Sequence, residues 1–380
     1  MPAQADVAIV GLGATGSAAL LSLARRGTRV IGFDRFSPPH NQGSSHGRSR
    51  VIREAYYESP VYVPLVRRAY ELWQALERDS GRPLLHITGG LMLGPADGTL
   101  VQGARRSAEL HGLPFEVLSA TDIRRRFPVF QPAKETLGIL EPRAGFLEPE
   151  GCLAGALEQA VKAGAELCLE TAVTGWTSTL TGIRLGTSRG AVECGRLILA
   201  AGPWMTTLLG GAPIPLTIER QVMYWFRPSG DPSRFSADRL PVFLWEWERD
   251  RLFYGIPDHG SGFKVARHHE GEAVTPDGVD RGVHAGEIVE MRALLRRTIP
   301  EADGPPVEAV TCLYTNTPDR HFVLGSHPLE PRVLLASPCS GHGFKFASVI
   351  GEVLADLSTG RTPAFDLGPF RPDRFAAEVR

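Results

Sequence analysis

Gly11, Gly13 and Gly16 stand at the spacing that lets a chain wrap a pyrophosphate. Gly11 permits a tight turn, Gly13 lets the backbone approach the phosphates, and Gly16 lets the following helix lie close on a sheet. The N-terminus of that helix would add unpaired N–H groups and a partial positive charge. Asp34 is placed to accept from ribose hydroxyls. A second constellation lies near the other end, where Ser340-Gly341-His342-Gly343 forms a turn ahead of a helix. Lys345 falls in the first turn of that helix, where the dipole disfavours a cation. Its presence there predicts an anion nearby, most simply a substrate carboxylate, with Arg53 as the partner in a two-cation clamp.

Lysine is rare in this chain. Of 41 basic residues only Lys134, Lys162, Lys264 and Lys345 are lysine. A compact ammonium fits where a planar guanidinium cannot, and its pKa responds to burial. Lys134 and Lys162 have polar neighbours and read as surface charges. Lys264, within Gly262-Phe263-Lys264-Val265-Ala266, and Lys345, between Phe344 and Phe346, have apolar neighbours and are site candidates. Lysines snorkelling on a half-buried surface are the plainer alternative.

These groups need elements to hold them. Residues Ala5 to Val10 read as a buried strand, a helix runs to Arg26, and Gly27 stops it. Arg29 to Phe33 then makes the second strand, so the glycines sit in their strand–turn–helix–strand setting. A loop rich in Ser, Gly, His and Arg spans 35 to 60 and would lie near the cofactor. Pro64 opens a helix with Leu65, Ala69, Leu72 and Leu76 on one face and Gly81 past its end. Thr88 to Gly94 reads as a strand, and 105 to 130 as helical and arginine-rich. A helix from Gly151 to Ala163 leads to a strand at Glu166 to Leu169. Arg196 to Trp204 reads as a short buried strand returning beside a bound dinucleotide. From about 215 to 320, alternating strands (Gln221 to Phe226, Val242 to Trp247, Leu252 to Ile256, Gly262 to Ala266) read as a mostly antiparallel sheet. Val333 to Ala336 is a strand, and Phe346, Ile350, Val353 and Leu357 mark one face of a closing helix. The fold class expected is α/β plus α+β. A Rossmann-like domain is assembled from 1–83, 147–214 and 320–380, and a mainly antiparallel substrate domain from 84–146 and 215–319.

Only one glycine fingerprint is present, whereas an enzyme using both FAD and NAD(P)H usually needs two. With the Leu197–Gly202 return strand and the C-terminal glycine turn, this favours FAD. A flavin gains negative charge at its pyrimidine edge on reduction, and the helix after Gly343 could stabilise it.

Several motifs together resemble the monomeric sarcosine oxidase / N-methyltryptophan oxidase family of flavin amine oxidases, over nearly the whole chain. They are the Gly11–Gly16 turn with Asp34, His46-Gly47-x-x-Arg50-x-x-Arg53, Phe253-Tyr254-Gly255, Lys264 with His268, Cys312-Leu313-Tyr314-Thr315, and Ser340-Gly341-His342-Gly343-Phe344-Lys345-Phe346. The resemblance implies a discontinuous FAD domain and oxidation of secondary amines, such as sarcosine, N-methyltryptophan, pipecolate or proline, with dioxygen reduced to hydrogen peroxide. It implies that Cys312 bonds through sulfur to the flavin 8α-methyl group, and that Lys264 activates dioxygen near flavin N5. Arg50 would lie close to the flavin ring, with His46 its neighbour on the same loop, and Arg53 and Lys345 would hold the substrate carboxylate. Tyr254, His268 and Tyr314 would line the amine pocket. Val173, Gly202, Gly341 and Gly343 complete the expected cofactor contacts. Trp245, within Phe243-Leu244-Trp245-Glu246-Trp247, is expected on the pocket wall, shaping it for a ring-bearing or cyclic amine or simply filling space.

Bulk properties bound the alternatives. The chain has 380 residues, 43% hydrophobic and 22% charged, with formal net charge -1, so no overall field recruits nucleic acid or a membrane. Arg124-Arg125-Arg126 reads as a solvated helix face. Cys152, Cys168, Cys194, Cys312 and Cys339 show neither C-x-x-C spacing nor a zinc pattern, so no metal is expected. No apolar run reaches the length of a membrane span. The first apolar stretch is already the nucleotide strand, and Ala377–Arg380 carries no peroxisomal address, so the cytoplasm is expected; a monomer is also expected. Two other readings share part of this pattern: a D-amino acid or glycine oxidase-like enzyme with non-covalent FAD, and a flavin-binding subunit of a larger dehydrogenase.

Overall fold

The computed structural model describes residues 5–375; Ala377–Arg380 lies outside that range. Strand β1 (Ala5–Val10) runs through the glycine turn into helix α1 (Ala14–Arg25). Strand β2 (Val30–Phe33) returns parallel to it, with Val10 opposite Phe33. The close approach is possible only because of the glycines. Gly11 has φ of 90°, and a β-carbon there would lie 2.5 Å from the carbonyl oxygen of Ala200. One at Gly16 would lie 1.7 Å from the carbonyl oxygen of Gly11.

On the other side of β1 the strand Gly190–Leu199 pairs in parallel, and Glu330–Ser337 pairs in parallel with that strand. Parallel pairing with helices on the faces buries both sides, so these strands read as continuous apolar runs. Val173–Ser178 and Ile183–Thr187 extend the sheet antiparallel, giving eight strands drawn from three distant stretches of sequence. Helix α1, the helices Pro149–Lys162 and Ala347–Ser358, and helix α2 (Val63–Ser80) share one core through Leu20, Leu153, Val66, Ile350 and Leu354.

The second sheet has nine strands. Thr217–Phe226, Phe263–His268, Arg251–Ile256 and Val242–Glu248 pair antiparallel in that order. Gly90–Pro95 joins Val242–Glu248 in parallel. The long strand Pro306–Asn316 pairs with Thr217–Phe226 and sets Cys312 opposite Gln221. A small third sheet pairs β3 (Arg50–Ile52) with Gly145–Leu147, fixing the end of the polar loop.

The reading of 105–130 as one helical stretch is corrected. A helix spans Thr99–His111 and stops at Gly112, whose φ is 59°. After Pro114 the chain forms the strand Glu116–Ser119, and a second helix, Ala120–Arg126, begins at a capping box of Ser119 and Asp122. Arg124, Arg125 and Arg126 are exposed on it. The middle segment also holds a helix, Ala285–Thr298, buried through Met291, Leu294 and Leu295. Among the described residues no helix is long and apolar enough to cross a membrane.

Helix Ala347–Ser358 meets α1 at Gly351, where a β-carbon would lie 2.5 Å from the Ala18 carbonyl carbon. Backbone cannot yield as a flexible side chain can. Gly351→Val should therefore destabilise the protein by about 2 kcal/mol or more, read as a fall in Tm.

Candidate functional site

A cavity of about 510 Å³ is lined from both large sheets. At one end stand Gly11, Gly13, Ala14 and Thr15, the start of α1, with Val173, Gly202 and Asp34 around them. Gly13 is the N-cap and brings no side chain to satisfy the helix end; Ser45 Oγ takes one N–H, that of Ala14, at 3.1 Å. Asp34 is buried. One of its oxygens accepts the Leu12 N–H at 2.8 Å and the other the Phe36 N–H at 2.8 Å. These bonds fix the carboxylate and leave lone pairs for a diol. Gly16 does not line the cavity; it seats α1. The cradle fits a dinucleotide: Gly11, Gly13 and Ala14 keep its floor free of bulky side chains, and the helix end offers donors to phosphate.

Further along, Arg50 donates to the carbonyls of Ser44 at 3.0 Å and Ser49 at 2.9 Å, and its Nη2 lies 3.6 Å from Cys312 Sγ. Cys312 lines the cavity from the strand Pro306–Asn316. Lys264 and His46 are not part of the cavity lining. The Lys264 ammonium donates to the carbonyls of Gly47 and Ser49, both at 2.7 Å, and lies 5.0 Å over the Trp225 ring. Burial and the Arg50 charge push it well below the usual lysine range. His46 faces a second, smaller hollow that it shares with Arg48, Glu150 and Trp225, and its Nε2 has no partner. Burial, Arg50 and Lys264 push this imidazole down to about 3, so it is neutral. The alternation of Phe263–His268 turns Lys264 toward the polar loop, whose carbonyls hold its ammonium.

At the far end Arg53 and Lys345 both line the cavity. Arg53 is 2% exposed, and its Nη2 donates to both carboxylate oxygens of Glu58, at 2.8 and 2.6 Å. Burial opposes its charge, but Glu58 more than offsets that and holds the guanidinium above its usual range. Lys345 lies in the 3₁₀ turn Phe344–Phe346, just before the helix Ala347–Ser358. Its ammonium turns back to the His342 carbonyl at 2.8 Å and approaches the Tyr56 hydroxyl at 3.4 Å. Burial and the Arg53 charge push Lys345 down to about 7. The imidazole of His342 donates from Nε2 to the Arg320 carbonyl at 3.0 Å, which leaves Nδ1 to accept from Tyr56 at 2.6 Å.

Tyr254, Tyr314 and His268 line the same end, with His268 Nδ1 3.2 Å from the Tyr314 hydroxyl. Burial and His269 push His268 well below the usual range, and burial raises Tyr254 to about 12, so neither carries charge near neutral pH. At Gly341, φ is 77° and a β-carbon would lie 2.6 Å from the Tyr314 ring, so the turn packs directly on that wall. Gly343 lines the same wall. Trp245 is a correction. It is 4% exposed, packs on Phe130 and Phe253, and does not line the cavity. Successive strand residues face opposite ways, and Leu244 is the neighbour that reaches the wall.

Sequence reasoning missed Glu58, Tyr56 and Glu150. Glu150, in the first turn of its helix, accepts the N–H of Gly47 at 2.6 Å and so fixes the polar loop. From sequence it reads as ordinary dipole chemistry. Glu58 sits five residues after Arg53 in a loop, where spacing says nothing of pairing.

The chain matches the model of the family described as "FAD dependent oxidoreductase" over residues 6–357. It is 43% identical over 376 residues to a monomeric sarcosine oxidase of Streptomyces avermitilis, covering 98% of each chain. It is 33% identical over 372 residues to an N-methyl-L-tryptophan oxidase of Yersinia pestis, covering 97% of this chain and 99% of that one. Among solved structures, the open form of NikD, titled an unusual amino acid oxidase essential for nikkomycin biosynthesis, superposes with a TM-score of 0.84 at 26% identity, covering 97% of each chain. A β-carbon at Gly11 would push the glycine turn off the Ala200 backbone and distort the cradle: Gly11→Ala should reduce bound flavin tenfold or more, at about 1.4 kcal/mol per decade, read from the visible absorbance of the purified protein. With its dinucleotide cradle, its buried cations and these relatives taken together, the chain belongs to the FAD-dependent oxidoreductase family, in the group that holds the monomeric sarcosine and N-methyltryptophan oxidases.

Proposed function

We propose that this enzyme oxidises secondary amino acids, N-methyl or cyclic, to the imine, with dioxygen reduced to hydrogen peroxide and with FAD held covalently through Cys312. The observation that carries the reading is the pair of buried cations, Arg53 and Lys345, facing the same cavity as the dinucleotide cradle. The names of the relatives from Streptomyces and Yersinia support the substrate class.

When bound, the flavin takes up the hydride equivalent from the carbon beside the amine nitrogen and passes electrons on to dioxygen. The residues set the geometry. Arg53 and Lys345 hold the carboxylate, which shares Arg53 with Glu58. His268, Tyr254 and Tyr314 offer neutral hydrogen-bonding groups around the amine, which reacts uncharged. Leu244 and Leu252 give that wall apolar surface. Water hydrolyses the imine; an N-methyl substrate yields formaldehyde and the parent amino acid. Lys264 supplies positive charge as dioxygen takes its first electron, and its two carbonyl bonds hold the ammonium in place. Cys312 would hold the flavin through a thioether at its 8α-methyl carbon, which would raise its oxidising power. The Arg50 guanidinium beside the sulfur supports that placement. The enzyme is proposed to act as a cytoplasmic monomer.

A peroxide-coupled screen against sarcosine, N-methyltryptophan, pipecolate, proline and D-amino acids tests the reading. Turnover of primary D-amino acids alone would favour a D-amino acid or glycine oxidase-like enzyme instead. Flavin reduction without peroxide would favour a dehydrogenase subunit. Lys264→Met should slow reoxidation by about 100-fold or more while anaerobic reduction is largely kept; an equal fall in both half-reactions would contradict the role given to Lys264. Cys312→Ala should leave flavin that acid extracts, where the parent protein keeps it. Lys345, at about 7 in the free site, binds a carboxylate only when charged. Carboxylate affinity should therefore fall as pH rises above 7, by up to about tenfold per unit, and Lys345→Met should flatten that limb.

A further inference from the structure

The turn that carries Arg53 is held by a carboxylate from the other sheet. Glu141 ends the strand Thr136–Glu141 and is 1% exposed. One oxygen accepts the Glu54 N–H at 2.7 Å, and the other accepts the Ala55 N–H at 2.8 Å. Arg53 closes the same turn from its opposite side, donating from Nη1 to the Ala55 carbonyl at 3.1 Å while Nη2 holds Glu58. Ala55 is thus gripped at its N–H by Glu141 and at its C=O by Arg53. No ladder serves this stretch: β3 ends at Ile52 and the next 3₁₀ turn begins at Pro60. Its shape rests on side-chain bonds, those of Glu141 and the one from Ser107 Oγ to the Tyr56 carbonyl at 2.5 Å.

We propose that Glu141 is a positioning residue for substrate binding, fixing the turn so that the Arg53 guanidinium is presented to the substrate carboxylate. The proposal rests on the reading of Arg53 and Lys345 as the carboxylate site. Two N–H groups need two acceptor oxygens, and a proton on Glu141 would turn one of them into a donor facing a donor. Burial pushes Glu141 up to about 7, against the pull of its two N–H bonds. The groups facing it are Glu54 and Arg53 on the turn and Tyr70 from α2; Arg143, following the strand, has Nε 3.3 Å from Glu54. Glu54 is 2% exposed, and although its Oε1 meets Arg143, its charge still works against that of Glu141. Above pH 7 Glu141 is ionised and the turn is held. Below it, the turn loosens and carboxylate affinity falls. Lys345 bends the same profile the other way, so affinity should peak near neutral pH.

The experiment titrates the holoenzyme with propionate, a carboxylate with no amine to oxidise, and follows the perturbation of flavin absorbance. The range is about pH 6–9, where propionate stays ionised. Glu141→Gln should bind propionate about tenfold more weakly at the alkaline side of the peak. It should lose the acid limb and keep the alkaline one, a split that general loosening of the fold would not produce. Glu54→Gln removes the like charge and should move the acid limb to lower pH with affinity above it intact; this variant decides the matter if Glu141→Gln does not fold. An acid limb unmoved in Glu54→Gln, or a Glu141→Gln profile identical to the parent's, overturns the role of Glu141 while leaving the carboxylate site standing. No perturbation by propionate in the parent at any pH overturns both.

Discussion

Positive charge is buried along this cavity with few acids to meet it. Arg53, Lys264 and Lys345 are each no more than 5% exposed, and taking an ion out of water costs several kcal/mol, of order, even after relaxation. Glu58 compensates Arg53; Lys264 and Lys345 rest on backbone carbonyls and a tyrosine hydroxyl. Carbonyl dipoles hold an ammonium but do not neutralise it. Burial and a neighbouring guanidinium push both ammonium groups below the usual lysine range, a strain on the charged form. An arriving anion relieves it, and a group that becomes negative during reaction does the same. In the proposed mechanism Arg53 and Lys345 serve a carboxylate, and Lys264 serves negative charge that develops during reaction.

Bringing these groups to the cavity and to the loop beside it requires segments far apart in sequence. The loop 43–58 brings Arg50 and Arg53, Phe263–His268 brings Lys264, Pro306–Asn316 brings Cys312, and the 3₁₀ turn before the last helix brings Lys345. Glycine contacts decide whether they meet. Gly11 and Gly16 let α1 sit on its sheet, Gly351 lets the last helix sit on α1, and Gly341 lets the C-terminal turn pack on Tyr314 and His268. The loop itself has little regular structure. Acids anchor it, Glu150 at Gly47 and Glu141 at Ala55, so carboxylates used for positioning outnumber those facing the cations.

Much of this was legible in the residues, for physical reasons. The glycine turn announces itself because only glycine tolerates both the φ and the crowding at Gly11. The rare lysines separated correctly: Lys134 and Lys162 are exposed, while Lys264 and Lys345 are buried. What failed depended on direction and partners. Trp245 and Leu244 are equally apolar, and only the sheet decides which of two neighbours meets the cavity. Lys264 lies in a stretch whose alternation marks it as strand, but nothing in that stretch says which backbone carbonyls hold its ammonium. Glu58 and Glu141 pair with Arg53 and its turn across irregular backbone, where no periodicity applies. The break between Thr99–His111 and Ala120–Arg126 was hidden by arginines, which suit either a helix or its exposed surroundings.

The demand of the buried cations for a carboxylate is the centre of this account. It is tested most directly by comparing anaerobic flavin reduction with N-methylglycine and with its amide, N-methylglycinamide, which keeps the secondary amine and removes the charge. Two charge-assisted bonds lost should lower the second-order rate constant for reduction by about 100-fold or more for the amide. Equal rate constants for the two compounds would contradict the account.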